Sequence, residues 1–130
     1  WLTVAWPKKY GGQEWSYFKQ VVYGEEVTFN QAPRGDSIGP RMVGSLLIGH
    51  GTDEQKKRFL PPIASANVRW CQLFSEPNAG SDLAGLETTA EDQGDYFVVN
   101  GGKIWSSFAH VADWGFLLAR TNKDAPSTKG

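Results

Sequence analysis

The stretch of this chain with the most chemical possibility is Trp70-Cys71-Gln72-Leu73-Phe74-Ser75-Glu76-Pro77-Asn78-Ala79-Gly80-Ser81-Asp82. An apolar, strand-like run passes there into a loop of Pro, Gly, Ser and Asp. Such a loop can turn backbone N–H groups toward an anion, and Gly80 permits a close approach of ligand to main chain. By composition alone it equally describes an ordinary loop after a strand. A second stretch, Gly102-Lys103-Ile104-Trp105-Ser106-Ser107, sets an indole beside two hydroxyls. Taken singly, such a tryptophan is more often a core residue than a platform for a planar ring, and a strand hydroxyl is usually solvated. His50 and His110 have no metal-ligand spacing and no Cys/His cluster near them, so no metal site is expected. Cys71, the sole cysteine, reads as a buried small residue.

Helices are expected upstream of these residues and strands around them. Trp6-Pro7-Lys8-Lys9-Tyr10-Gly11-Gly12 is a rigid turn followed by a double-glycine break. From Glu14, the apolar residues Trp15, Phe18, Val22 and Phe29 recur at spacings of three, four and seven, the face of a helix that ends before Pro33. The Gly-interrupted run from Ser37 to His50 has the length of a buried helix. Thr52-Asp53-Glu54-Gln55 is a capping box opening a short charged helix, which Pro61-Pro62 is expected to stop. Downstream, Tyr96-Phe97-Val98-Val99 is a strand, and Asn100-Gly101 predicts a tight hairpin to a returning strand Lys103–Ser107. A second turn at Asp92-Gln93-Gly94-Asp95 leads back to a strand around Leu86–Ala90, and Trp114–Arg120 is a further strand. The expected class is therefore α+β, helices first and then an incomplete antiparallel sheet or barrel. The predicted boundary divides 1–68 from 69–130.

The remaining composition narrows partners. With 130 residues, 40% of them hydrophobic and 21% charged, the chain can bury a core. A formal charge of −1, with acids and bases interspersed, offers no basic stripe for nucleic acid. No apolar run approaches the roughly 18 residues of a membrane span, and no secretory signal pattern opens the chain. The lone thiol fits a reducing compartment. A soluble protein of the cytoplasm, or of the mitochondrial matrix in a eukaryote, is expected, and its opening at Trp1 suggests a segment of something longer. A small sheet with an unpaired edge must be covered by more chain, another subunit or a ligand.

Four motifs, in order, carry a resemblance. Ser75-Glu76-Pro77-Asn78-Ala79-Gly80-Ser81-Asp82 resembles the Thr-Glu-Pro-x-Ala-Gly-Ser-Asp signature of acyl-CoA dehydrogenases. Trp6-Pro7 with Tyr10-Gly11-Gly12 is similar to the family's upstream Trp-Pro-x-x-Tyr-Gly-Gly. Gly49 to Pro61 is similar to its Gly-(Thr/Ser)-x-x-Gln-Lys-x-x-x-Leu-Pro helix, and Gly102 to Ser107 to its Gly-x-Lys-x-Trp-Ile-Thr strand. The sequence departs from the pattern at Phe74, where a smaller aliphatic residue is usual, at Asn78, where Gly is common, and at Ser106, which replaces Ile.

The resemblance implies an α,β-dehydrogenation of an acyl-CoA thioester with FAD as hydride acceptor. It implies that Ser75 hydrogen-bonds the flavin ring, that Trp105 lies against its face and that Ser107 donates toward N5. Gln72 and Phe74 would line the flavin edge through backbone groups, with Gly80 and Ser106 in the same cofactor surface. Ser81 would contact the CoA side of the ligand. Donors aimed at a ring about to gain negative charge favour its reduced form, by the logic of an oxyanion hole. The redox chemistry belongs to the cofactor. The family's carboxylate base, usually Glu, would come from a C-terminal bundle for which this chain has no candidate, so no catalytic residue is expected within it. Glu76 matches a structural position. An electron-transfer flavoprotein as acceptor and a homo- or hetero-oligomer follow from the same resemblance. The other readings are an acyl-CoA oxidase, nitroalkane oxidase or flavin monooxygenase of the same fold, a CoA-binding module without flavin, and a structural subunit.

Overall fold

The structure, a computed structural model, describes residues 1–33, 35–122 and 124–126. Two units follow one another, Trp1–Trp70 and Cys71–Gly130.

In the first unit, helix α1 (Tyr17–Phe29) begins where Ser16 accepts from the Lys19 amide. Trp15 lies outside it, its amide bound to the Val4 carbonyl and its ring edge-on to Tyr23. The spacing located the helix, but the face it picked out points outward: Phe18 and Phe29 are 77% and 85% exposed. From Ile38 the chain is helical to His50, as a π-helical turn (Ile38–Val43) running into α2 (Gly44–His50). Only its start is buried, at Gly39, Pro40, Val43 and Gly44.

Helix α3 (Asp53–Ala64) opens with the expected capping box, the Gln55 amide donating to Thr52 and the Thr52 amide to the Gln55 side chain. Its end differs from expectation, for Pro61 and Pro62 lie inside it. Each proline removes one internal hydrogen bond. The final turn nevertheless carries Leu60 and Ile63, the largest fully buried side chains among the described residues. The carbonyls of Pro61 and Pro62 also still accept from the Ser65 and Asn67 amides. Burial of two aliphatic side chains, about 1.5–3 kcal/mol each, offsets the lost bonds.

The core of this unit gathers around Trp6, which is 4% exposed and donates its indole N–H to the Pro40 carbonyl at 3.0 Å. Gly44 packs so tightly on this ring that a Cβ there would overlap it. The Asp36 carboxylate gathers the Ile38, Gly39 and Trp70 amides at 3.0, 3.0 and 3.3 Å. It thereby ties the π-helical turn to the start of strand β1 (Trp70–Leu73).

Among the described residues the second unit holds two two-stranded sheets in place of the expected continuous meander. One pairs β1 with β4 (Trp114–Leu117), and the other pairs β2 (Thr89–Asp92) antiparallel with β3 (Phe97–Asn100). The hairpin between β2 and β3 closes through Asp92–Asp95, where Gly94 adopts φ 87° and donates to Asp92 at 2.8 Å. Asn100-Gly101 is therefore not a hairpin turn. Asn100 ends the ladder opposite Thr89, and Gly101, at φ 152°, passes so close to Thr88 that any side chain would collide. Lys103–Ser107 is not a strand either. Local β-propensity yields there to bonds with Phe74, Ser75 and Glu76 and to a left-handed residue, Trp105. β4 stops at Leu117, and Arg120 makes a parallel bridge to Thr89.

Candidate functional site

The site grows from the end of β1. Phe74 packs edge-on against Phe116 with ring centroids 5.1 Å apart, which fixes the direction in which the chain leaves the sheet. Ser75 follows, half-buried, its carbonyl accepting the Ile104 amide at 2.9 Å. The chain then folds back in a turn, Glu76 and Ala79 exchanging both backbone bonds at 2.9 and 3.1 Å, with Ala79 only 1% exposed.

Glu76 is the hub. Its Oε1 accepts from the Thr88 amide at 2.9 Å and from Lys103 Nζ at 2.7 Å, while Oε2 accepts from the Glu87 amide at 2.7 Å. Lys103 also donates to the Phe74 carbonyl at 3.0 Å, and both charged side chains are 8% exposed. Burial pushes the Glu76 carboxyl up, but Lys103, Thr88 and the Glu87 amide together outweigh it and hold it down at about 2. At neutral pH this carboxylate is fully ionised and too weakly basic to take a carbon-bound proton. Its work is to pin three segments to one point.

That point presents Trp105. Its φ of 56° is left-handed, which a bulky residue rarely adopts, and its side chain is 85% exposed. Strain of this kind concentrates at ligand clamps. Ser107, exposed, donates its amide to the Trp105 carbonyl at 3.0 Å. Ser106 Oγ is buried with no hydrogen-bond partner among the described residues.

The predicted residues therefore fall into two groups. Phe74 and Ser75 are joined by hydrogen bonds to the segment that carries Trp105, Ser106 and Ser107. Gln72 lies half-buried within β1. Gly80 and Ser81 leave the turn exposed and run on to the short 3-10 turn Leu83–Gly85; a Cβ at Gly80 would meet nothing within 4 Å. The close approach expected at Gly80 is thus not demanded by the chain's own atoms. Lys103 and its pairing with Glu76 were missed as a working part of the site. The signal was a Lys two residues before Trp105 and a Glu inside the other motif, each a charge within an otherwise apolar or small-residue stretch.

An exposed indole on a strained backbone, a half-buried serine on the adjoining segment and an orphaned buried hydroxyl on the residue after the indole fit a planar heteroaromatic ring such as flavin. Among the described residues no group of three His, Cys, Asp or Glu side chains is placed to hold a metal ion, and no helix is long and apolar enough to cross a membrane.

Comparison with known proteins agrees with the motif series. Residues 1–67 match the acyl-CoA dehydrogenase N-terminal domain, and residues 71–130 match the acyl-CoA dehydrogenase middle domain. The chain belongs to the acyl-CoA dehydrogenase family. It is 44% identical to the acyl-CoA dehydrogenase IpdE1 of Mycobacterium tuberculosis over 98% of its own length and 33% of that protein's. Among solved structures, a steroid acyl-CoA dehydrogenase (the "Tcur3481-Tcur3483 steroid ACAD") matches with a TM-score of 0.92 at 43% identity, over 100% of this chain and 34% of that one. The ChsE4-ChsE5 complex of Mycobacterium tuberculosis matches with a TM-score of 0.87 at 43% identity, over 95% of this chain and 32% of the matched chain. The chain thus spans about a third of the length of the relatives it matches.

Proposed function

We propose that this chain forms part of the flavin-binding surface of an enzyme that α,β-dehydrogenates an acyl-CoA thioester, with 1–68 contributing to a helical domain and 69–130 to a β-domain. The observation that carries the reading is the Ile104-to-Ser75 hydrogen bond of 2.9 Å, which sets a signature hydroxyl residue beside the segment bearing the outward-facing Trp105. FAD, when bound, supplies the hydride acceptor. The residues that would hold it are Trp105 through its ring face, Ser75 and Ser107 through their hydroxyls, and Gln72, Phe74, Gly80 and Ser106 along its edge. Ser81 would meet the CoA portion of the substrate. The base that removes the α-proton is a Glu outside these 130 residues, a reading supported by the pinned, ionised state of Glu76.

The steroid acyl-CoA dehydrogenase at 43% identity favours a bulky polycyclic acyl group over a short straight chain. The ChsE4-ChsE5 complex supports assembly with a different subunit. The acceptor would be an electron-transfer flavoprotein. Support for that comes from the family to which the chain belongs. Titration of the protein with FAD tests the reading. Bound flavin should shift its visible absorption and, at a hundred times its dissociation constant, add ~2.7 kcal/mol of stability. CoA binding without flavin binding would favour a CoA-binding module, and no stabilisation by either ligand a structural subunit. With FAD, acyl-CoA and an electron-acceptor dye, the 130 residues alone should show no turnover; turnover would place the base inside the chain.

A further inference from the structure

We propose that Ser106 is a hydroxyl left unsatisfied by the fold and completed by the bound ring, so that it contributes cofactor affinity at a cost to the stability of the empty protein. The inference rests on the flavin reading above and adds a role for the side chain at which this sequence departs from the family pattern.

Three observations converge on it. Ser106 Oγ is buried and has no hydrogen-bond partner among the described residues. The neighbouring main chain, by contrast, is well occupied: the Ser106 carbonyl accepts from the Ala109 amide at 3.1 Å, and the Trp105 carbonyl accepts from the Ser107 amide at 3.0 Å. The carbonyls on either side of this hydroxyl are therefore occupied, while the hydroxyl itself is not. Lastly, Ser106 is bracketed by two bulky left-handed residues, Trp105 at φ 56° and Phe108 at φ 64°, which are 85% and 57% exposed.

A buried hydroxyl without a partner is unfavourable, and aliphatic residues of similar size avoid that penalty. Bulky residues in left-handed conformations add strain that an ordinary surface turn does not require. Both strained residues stand exposed, one on either side of the orphaned hydroxyl in sequence. The ligand this recognises is flat and aromatic, with hydrogen-bonding atoms on its rim, which describes an isoalloxazine. Ser106 as a whole is half-buried, so a change of χ1 between staggered wells is the movement that brings its hydroxyl to the rim of such a ring.

The test compares unmodified protein with Ser106→Ala and Ser106→Thr, measuring the melting temperature without ligand and the FAD dissociation constant by flavin absorbance. Ser106→Ala is expected to melt a few degrees higher when empty and to bind FAD roughly threefold to tenfold more weakly. Ser106→Thr, which keeps the hydroxyl, should bind within threefold of the unmodified protein. A merely structural serine would not move stability and affinity in opposite directions. If Ser106→Ala binds FAD as tightly as before, melts lower when empty, or shares its weakened binding with Ser106→Thr, the inference fails and the flavin reading stands. If unmodified protein takes up no FAD, both fall together.

Discussion

The two units of this chain solve the same problem with different chemistry. Trp1–Trp70 is organised by apolar burial, with Trp6 against Gly44 and with Leu60 and Ile63 beneath the last turn of α3. Cys71–Gly130 is organised at its centre by a buried ion pair, Glu76 with Lys103, fed by the Glu87 and Thr88 amides. Among the described residues its sheets have two strands each, and β3 is exposed along its whole length. Hydrophobic contacts are non-directional and tolerate small shifts, whereas a carboxylate that takes three donors fixes three segments to within a hydrogen bond. A binding surface drawn from distant loops needs the second kind of order. Both units contain a carboxylate that takes three donors, Asp36 in the first and Glu76 in the second. Only at Glu76 is one of those donors a buried cationic side chain, and that is the point from which the candidate site is built.

The largest expected effect breaks that contrast on its polar side. Lys103→Met leaves Glu76 buried and charged without its counter-ion, which should destabilise the second unit by ~3–5 kcal/mol. Hydrogen exchange at the Glu87, Thr88 and Ile104 amides should accelerate most. If those amides keep their protection, the ion pair is not what organises the unit. Leu60→Ala attacks the apolar side and should cost ~2–5 kcal/mol, with lost protection centred on the Ser65 and Asn67 amides of the first unit.

Acid provides a sharper discriminator, because the carboxyl at the centre of the second unit is strongly depressed. Glu76 is held at about 2 against an ordinary 4.5, so the folded state binds this proton less readily than the unfolded chain. Its contribution is complete above about pH 4.5 and is lost as pH falls toward 2. Amide protection around 87–88 should therefore decline across that window, and Lys103→Met should move the decline to higher pH. The smallest effect is local. Thr52→Ala removes one half of the capping box and should cost ~1 kcal/mol, read by chemical denaturation and confined to α3.

Legibility in the sequence followed the range of the interactions. The capping box at Thr52 and Gln55 was readable because its partners lie within one turn, and the first helix because its apolar residues recur at helical spacing. So was the Asp92–Asp95 turn, where Gly94 supplies the positive φ. The failures share one cause. Pro61-Pro62 reads as a stop only until Leu60 and Ile63 are known to be buried, and Asn100-Gly101 reads as a hairpin only until Thr88 is known to sit against Gly101. In the site, Ser75 and Trp105 were recognisable from motifs, while the Glu76–Lys103 pairing that sets them side by side was not. Ser106 could be named as a departure from pattern, but nothing local shows that its hydroxyl is orphaned.

Residue order alone determined the family and the division into helices then strands, and it supplied the side chains proposed to meet a cofactor, because motifs and periodicity are properties of neighbours along the chain. Which segment each of those side chains faces was decided only in three dimensions. Residues 27 and 29 positions apart, Lys103 with Glu76 and with Phe74, meet through a buried charge and a backbone carbonyl. The free energy of such contacts depends on burial and distance, and neither quantity exists until the chain has folded.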